Sequence, residues 1–343
     1  MIIDFLKKED ESSWDDFVNK NRDATFFHTL GWKRLVEKVY KNRFESKYLI
    51  AKENRMCRGI LPLFLCKDWL KGKRLISIPF ATAGGTCVES ESAEKILIEK
   101  AIKLTKDLNA DYLELRNLKQ KKGDWVTKDN FFTLILDLDS DPDKLWSSFR
   151  ATSRRYIRRA IENDLDVITA SNDIETFYEI FSRGQLNLGT PVLSYAWVKN
   201  LFFNFTNQHT IAKVCYKNKT IAALFLRKFK DTIYYVLGAS LLEYRHLYPN
   251  YILFWKLIQE SCKEGYKQFD FGRSVASSGS YFFKIGWGAR PQQYHYQYHL
   301  NKVKSIQNTS QDNPNRKRFA KVWKKLPLRV ANALGPMIRK YYP

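Results

Sequence analysis

The stretch SSGSYFFKIGWGARP, from Ser277 to Pro291, sets one lysine among aromatics and glycines. Lys284 follows Tyr281, Phe282 and Phe283 and precedes Gly286, Trp287 and Gly288. Most of the 58 Lys and Arg of the chain belong in water, so a cation in this setting has two readings. Its stem can cover aromatic surface while its amine reaches solvent, the commoner case. Alternatively it stands in a dry pocket, where a preorganised cation stabilises the negative charge that grows on a carbonyl oxygen under attack. Just upstream, FDFGRS places Asp270 and Arg273 after a strand, where they could position a substrate or pair with each other. Gly272, Ser274, Ser277, Ser278, Gly279 and Ser280 make a small-residue loop ahead of a helix, and its N–H groups could take a phosphate or carboxylate.

A second cluster lies on a helix around Arg150. Arg150, Arg154 and Arg158 fall at i, i+4 and i+8, with Arg155 and Arg159 beside them. Like charges so spaced repel by roughly 0.2–0.5 kcal/mol per pair. A face that accepts this repulsion suits a polyanion, such as tRNA or a lipid- or nucleotide-linked phosphate. A solvated face balanced by acids from elsewhere is the competing reading. The net charge of +22 favours anionic partners in general. His295 and His299 alternate with Tyr294, Tyr296 and Tyr298 on a strand, and there is no HExxH, Walker loop or Ser-His-Asp arrangement, so no metal is expected.

These residues need a scaffold, and hydrophobic periodicity outlines one. Helices at DESSWDDFVNK and HTLGWKRLVEKVYK precede strands at FESKYLIAKE, CRGILPLFLCK and KRLISIPF. A helix at ESAEKILIEKAIKLTKDL and strands at ADYLELRNL and FFTLILDL complete a first half. From Ser140 the order restarts. SDPDKLWSSFRATSRRYIRRAIEN reads as one helix, capped by Asp141 with Pro142 in its first turn. A short strand, DVITA, and helices DIETFYEIFSRGQ and SYAWVKNLFFNF follow. Strands HTIAKVCYK, TIAALFLRKF and DTIYYVLGAS come next, the first two joined by a tight turn at NK. NYILFWKLIQESCKEG is a helix with Asn250 as cap and Gly265 as stop. KQFDFG, SGSYFFKIG and QQYHYQYHL read as strand, helix and strand.

The halves echo each other: KYLIAKENRMCRGILPLFL parallels TIAKVCYKNKTIAALFLRK, and ADYLELRN parallels YKQFDFGRS. The reading is α/β (α+β): two tandem domains, residues 1–139 and 140–300, each a mixed, mostly antiparallel sheet flanked by helices, with a basic tail at 301–343. The tail alternates apolar and basic residues at helical spacing around Pro327. It either lies on an anionic membrane surface or covers the second domain. Five scattered cysteines without CxxC spacing read as reduced thiols, and the N-terminus lacks the pattern of a signal peptide. The expected location is the cytoplasm, with the inner face of the membrane within reach of the tail.

This element order resembles the GNAT acyltransferase fold, and its repetition resembles the FemAB-like acyl- and aminoacyltransferases. The resemblance rests on RRYIRRA, YRHLYPNYILFW, FDFGRS, YFFKIGWGARP, FFHTLGW and SIPFATAGG. It is nearest to the FemAB-related subgroup associated with exosortase and exopolysaccharide (PEP-CTERM) systems, whose tail pattern resembles WKKLPLRVANALGP. The resemblance implies a transferase that moves an acyl or aminoacyl group to an amine on a peptidoglycan or exopolysaccharide precursor. Phe283 and Lys284 match the family's Phe-Lys pair, whose lysine is assigned to the tetrahedral intermediate. Tyr281, Asp270, Arg273, Tyr235 and Arg245 would line the second-domain site. Trp32, Lys33 and Arg34 would help hold the acceptor. The donor would be aminoacyl-tRNA, with acyl-CoA as the alternative and no tightly bound cofactor. YRHLYPN has no glycine to cradle a pyrophosphate, and Pro249 removes an N–H donor. After ELRNL, the first half has KQKKGDWVTKDN in place of a Phe-Lys pair. An acceptor-binding or structural role is therefore expected there. The rival of another class is a non-catalytic GNAT-like scaffold held by charge to RNA or membrane.

Overall fold

The computed structural model describes residues 1–68, 72–119, 124–205, 208–306 and 313–343. Part of KQKKGDWVTKDN (120–123) and part of the tail (307–312, with its one acid, Asp312) lie outside the described residues. The chain forms two compact units. One comprises Met1–Phe131, Gln293–Asn308 and Lys340–Pro343; the other comprises Phe132–Gln292 and Thr309–Arg339.

In the first unit the order is β1 (Ile2–Phe5), α1 (Glu11–Lys20), α2 (Leu30–Val39), β2 (Phe44–Ser46), β3 (Leu49–Glu53), β4 (Met56–Leu61), β5 (Phe64–Asp68), β6 (Gly72–Ile76), β7 (Cys87–Val88), α3 (Glu91–Asp107) and β8 (Tyr112–Asn117). β9 (Val126–Asp137) leads into the second unit. There follow α4 (Pro142–Ser148), α5 (Ala151–Glu162), β10 (Asp166–Ser171), α6 (Ile174–Leu188), α7 (Tyr195–Phe203), β11 (His209–Tyr216), β12 (Lys219–Phe229), β13 (Thr232–Ser240), α8 (Pro249–Lys263), β14 (Gln268–Val275), α9 (Gly279–Ile285), β15 (Arg290–Leu300), α10 (Pro314–Trp323) and α11 (Leu328–Arg339).

The duplication read from sequence appears as matching registers. β6 and β8 run parallel through three pairs, Arg74–Tyr112 to Ile76–Glu114. β13 and β14 do the same from Thr232–Gln268 to Tyr234–Asp270. Aligning ADYLELRN on YKQFDFGR sets Glu114 on Asp270, so the two ladders coincide residue for residue. The β3–β4 and β11–β12 hairpins both turn through two residues of positive φ, Asn54 (51°) and Arg55 (65°) in one, Lys217 (49°) and Asn218 (62°) in the other. That is the backbone a tight hairpin needs, and the second turn lies one residue earlier than NK.

The halves diverge at Pro62. The expected strand CRGILPLFLCK breaks there because proline cannot donate to a ladder, so β4 joins the sheet β1-β3-β4-β7 while β5 joins β15-β8-β6-β5-β2. FESKYLIAKE likewise divides into β2 and β3, in different sheets. In the second unit β12 runs unbroken in the order β10-β11-β12-β13-β14-β9. Its side chains alternate between two helices. Phe225 meets Phe177 of α6, while Leu224 and Leu226 join the core that holds Leu253, Phe254 and Leu257 of α8. Cover on both faces accounts for its continuous apolar run.

Further expectations change. The helix drawn through Arg150 divides into α4 and α5, because Phe149 leaves helical geometry (ψ 146°) to bury its ring against Trp255 and Trp287. Helix α8 begins at Pro249 after Tyr248, whose φ is 57°, and Asn250 lies in its first turn. The last strand does not close the second unit. Residues 293–300 belong with the first, where β15 pairs antiparallel with β8 from His295–Asn117 to Leu300–Tyr112. β8 is thus bonded along both edges. Conversely, residues 132–139 belong with the second unit, where β9 flanks β14. The tail divides at Pro327 into α10 and α11, which seat on the second unit through buried Trp323, Ala331 and Gly335. The five cysteines are free thiols, four of them buried.

Candidate active site in the second unit

β13 and β14 begin as neighbours and then part. β13 carries a bulge: Phe225 lies opposite Leu237 and Leu226 opposite Tyr235, which leaves Val236 as the extra residue. The parallel register with β14 ends at Tyr234–Asp270. Two residues later Gly272 takes φ 69°, and a Cβ there would stand 2.9 Å from the Tyr235 carbonyl oxygen. Glycine is therefore required twice over, by dihedral and by contact. In an extended strand successive carbonyls face opposite ways. The kink at Gly272 brings two of them to one donor, since Lys284 Nζ donates to the carbonyls of Gly272 (2.8 Å) and Arg273 (3.2 Å). Lys284 sits on α9, whose start is capped by Ser278 Oγ accepting from the Tyr281 N–H.

The Lys284 side chain is buried, 6 % exposed. Its ammonium does not reach water along an aromatic surface. Burial brings its pKa down to about 8, against a nearby Asp270 that raises it and Arg273 that lowers it further. Asp270 is buried too, and accepts from the Thr133 hydroxyl and from the Gly272 N–H at 2.7 Å. Burial raises its pKa, opposed by those two bonds and by Lys284. An ammonium has three donors, and the two carbonyls engage two of them. The third makes no further hydrogen bond among the described residues.

The neighbouring residues divide by burial. The Phe283 ring packs against Tyr251 (5.1 Å), Phe254 (5.7 Å) and Trp287 (6.0 Å), which anchors α9. Tyr281 is half-buried beside Phe132. Tyr235 is half-buried with its ring edge on Phe254, and burial pushes its phenol up to about 12. The Lys284 ammonium lies 6.0 Å from the Tyr235 ring centroid. Arg273 and Arg245 are exposed, and Asp270 is paired with neither. Sequence reasoning missed Thr133 and the kink at Gly272. A glycine inside a strand pattern was the available signal for the kink; nothing in FFTLILDL marks Thr133.

The arginines of α5 present a different face from the one their spacing suggests. Arg150 stands at the break before the helix. Arg154 turns back to the carbonyls of Trp146 and Ser147 and closes the end of α4. Arg155 lies over the Tyr156 ring and Arg158 over Trp146, while Arg159 donates to the Tyr248 hydroxyl at 3.3 Å. Tyr156 and Tyr248 stack at 4.7 Å. None of the five arginines has an acidic partner among the described residues.

In the first unit Trp32 is buried against Phe26 and Phe27, and its indole N–H donates to the Pro79 carbonyl at 3.2 Å. Lys33 pairs with Glu37 and Arg34 with Glu11. The loop that Trp32 holds is strained: Ile78 and Phe80 take φ 47° and 62°, costly for side-chain-bearing residues. Arg116 on the Ala81 carbonyl (2.7 Å) and Tyr296 on the Thr82 carbonyl (2.9 Å) secure it as well.

Comparison with known proteins agrees with this fold. The family model described as Acetyltransferase (GNAT) domain matches residues 147–284, a stretch that ends on Lys284. No curated protein matches the chain. Among solved structures, FemX superposes with TM-score 0.67 at 14 % identity, covering 88 % of this chain and 98 % of that one. The C-terminal domain of a putative lysylphosphatidylglycerol synthetase from Agrobacterium fabrum gives TM-score 0.55 at 11 % identity, covering 87 % and 98 %. A tandem GNAT protein from the clavulanic acid biosynthesis pathway gives 0.55 at 9 % identity, covering 89 % and 100 %. At these identities the likeness is one of fold, and the chain has the FemX-like tandem GNAT fold.

Proposed function

We propose that the second unit is an acyltransferase that moves an aminoacyl group from aminoacyl-tRNA to an amine on a cell-envelope precursor. The observation that carries this reading is Lys284, a buried cation with one uncommitted N–H at the point where β13 and β14 part. Attack of the acceptor amine on the donor ester forms a C–N bond and places negative charge on the carbonyl oxygen. The third donor of Lys284 meets that oxygen, in a dry site where such an interaction is worth far more than in water. Collapse breaks the C–O bond to the ribose, and the proton lost by the amine is balanced by the one taken up by the leaving hydroxyl. Asp270 is a positioning residue: by holding the Gly272 N–H it fixes the kink that seats Lys284.

Three features favour tRNA over acyl-CoA as donor. The segment before α8 has no glycine, Tyr248 and Pro249 occupy the helix start, and α5 presents arginines without acids beside a tyrosine stack. Stacked aromatics with arginine suit an RNA end. Aminoacyl transfer in the envelope is what the FemAB-like resemblance implies, and the lysylphosphatidylglycerol synthetase by its name makes a lysyl lipid. The strained first-unit loop held by Trp32 is the corresponding candidate for the acceptor.

Donor binding at controlled salt tests the reading, with labelled aminoacyl-tRNA against acyl-CoA and with wild type against Arg155→Glu/Arg158→Glu. The expected result is salt-sensitive tRNA binding that the variant loses, with no retention of CoA. Tight CoA binding with salt-insensitive or absent tRNA binding would overturn the donor and move the function to an acyl-CoA-dependent N-acyltransferase.

A further inference from the structure

α10 and α11 are seated on the second unit by one side only. Ala320 of α10 lies against Gly189, and Gly335 of α11 lies against Val192, where an added Cβ would meet the Val192 nitrogen at 2.9 Å. The Asn332 amide reaches the Ser182 hydroxyl of α6. On α11 the docked stripe is Ala331 and Gly335, at i and i+4. A second stripe, Val330, Leu334 and Met337, recurs at i, i+4 and i+7 and is 41 %, 42 % and 58 % exposed. At 3.6 residues per turn the two stripes lie about a third of a turn apart. α10 adds Phe319 and Val322, the latter 66 % exposed, and Leu188, next to the Gly189 contact, is exposed as well.

Single exposed apolar side chains are ordinary on a protein surface. Five on one pair of docked helices, joined by Leu188 at the end of α6, are more than scattered singles, and exposed apolar groups gathered in this way mark contacts. The surrounding charge says what kind. Lys321, Lys324, Lys325 and Arg329 are exposed between these residues and have no acidic partner among the described residues. Residues 313–343 contain no Asp or Glu at all. An apolar stripe on two helices that carry cations and no acid matches the boundary of an anionic bilayer, where acyl chains take the apolar groups and phosphates the charges. A protein partner would need a surface both apolar and wholly acidic. No described helix is long and apolar enough to cross a membrane, so the contact would be one of lying on the surface.

We infer that the outward face of α10 and α11 is a docking surface for anionic phospholipid, which holds the protein on a membrane whatever group the second unit transfers. The two helices are seated as a preformed face, so no folding on contact is required.

Vesicle co-sedimentation of the full chain tests this, with vesicles of equal parts phosphatidylglycerol and phosphatidylcholine against pure phosphatidylcholine. Binding is expected to the first and not the second, and to fall as salt rises. Lys321→Gln/Lys324→Gln/Lys325→Gln should lower the partition on the order of 100-fold, since each basic residue near such a surface is worth about fivefold. Leu334→Glu/Met337→Glu should lower it by tenfold or more while leaving the thermal melt unchanged, both side chains being in solvent. Equal binding to both vesicles, or indifference to the Leu334→Glu/Met337→Glu pair, would overturn the inference. So would light scattering that shows a dimer which the same pair converts to monomer, because a second copy would then be the occupant.

Discussion

Lys284 makes opposite demands on stability and on chemistry. Its pKa falls from the usual 10.5 to about 8 because the charge is buried, a cost of roughly 3 kcal/mol at neutral pH. Between about pH 8 and 10.5 the unfolded chain binds the extra proton at this site. The difference in unfolding free energy between wild type and Lys284→Met should therefore be flat below pH 8 and move in favour of wild type as pH rises through that window. Denaturant titrations at several pH values measure it. Activity should move the other way. The charged form is the one that meets the oxyanion, so wild-type kcat/KM should fall above about pH 8, and Lys284→Met should lose about 100- to 1,000-fold. A rate that instead rises through pH 8 in step with Lys284 would mark it as a base. Gly272→Ala should cost about 1–2 kcal/mol for its left-handed φ alone, with activity reduced because the two carbonyls that hold the ammonium shift. The residue types of this site were legible in sequence. Their pairing was not, because Asp270 and Arg273 are neighbours in FDFGRS but the bonds that matter come from Thr133 and a glycine N–H.

At the scale of elements, local periodicity located nearly every helix and strand, and tertiary packing moved their ends. One helix became α4 and α5 because burying Phe149 outweighs continuing the backbone ladder. That break changes what the arginines do. Arg154→Ala should destabilise the protein by about 1 kcal/mol, since it leaves the terminal carbonyls of α4 without that donor. Arg155→Gln/Arg158→Gln/Arg159→Gln should leave stability within about 0.5 kcal/mol. The same triple should lower the slope of log binding constant against log salt for tRNA by about 2–3. Thermal melts and filter binding separate the two classes. An undiminished salt slope in the triple variant would remove α5 from the donor surface.

At the scale of the whole molecule, the internal repeat was readable because both copies keep the hairpin and the acid-bearing strand. The unit boundaries were not, because a strand's partners are set by registers that sequence order does not reveal. QQYHYQYHL follows the second-half pattern, yet its residues pair with β8 in the first unit. A fragment of residues 1–139 should accordingly be insoluble or fail to protect the β8 amides in hydrogen exchange, with one edge of β8 bare. A folded, protected fragment would restore the simpler division. The most direct test of the account as a whole is single-turnover transfer from labelled aminoacyl-tRNA to a pool of nucleotide- and lipid-linked envelope precursors, comparing wild type with Lys284→Met at pH 7. The account predicts an amide-linked, alkali-stable product with wild type and at least a 100-fold slower transfer with the variant. Equal rates from the two proteins, or product from acyl-CoA alone, would contradict it.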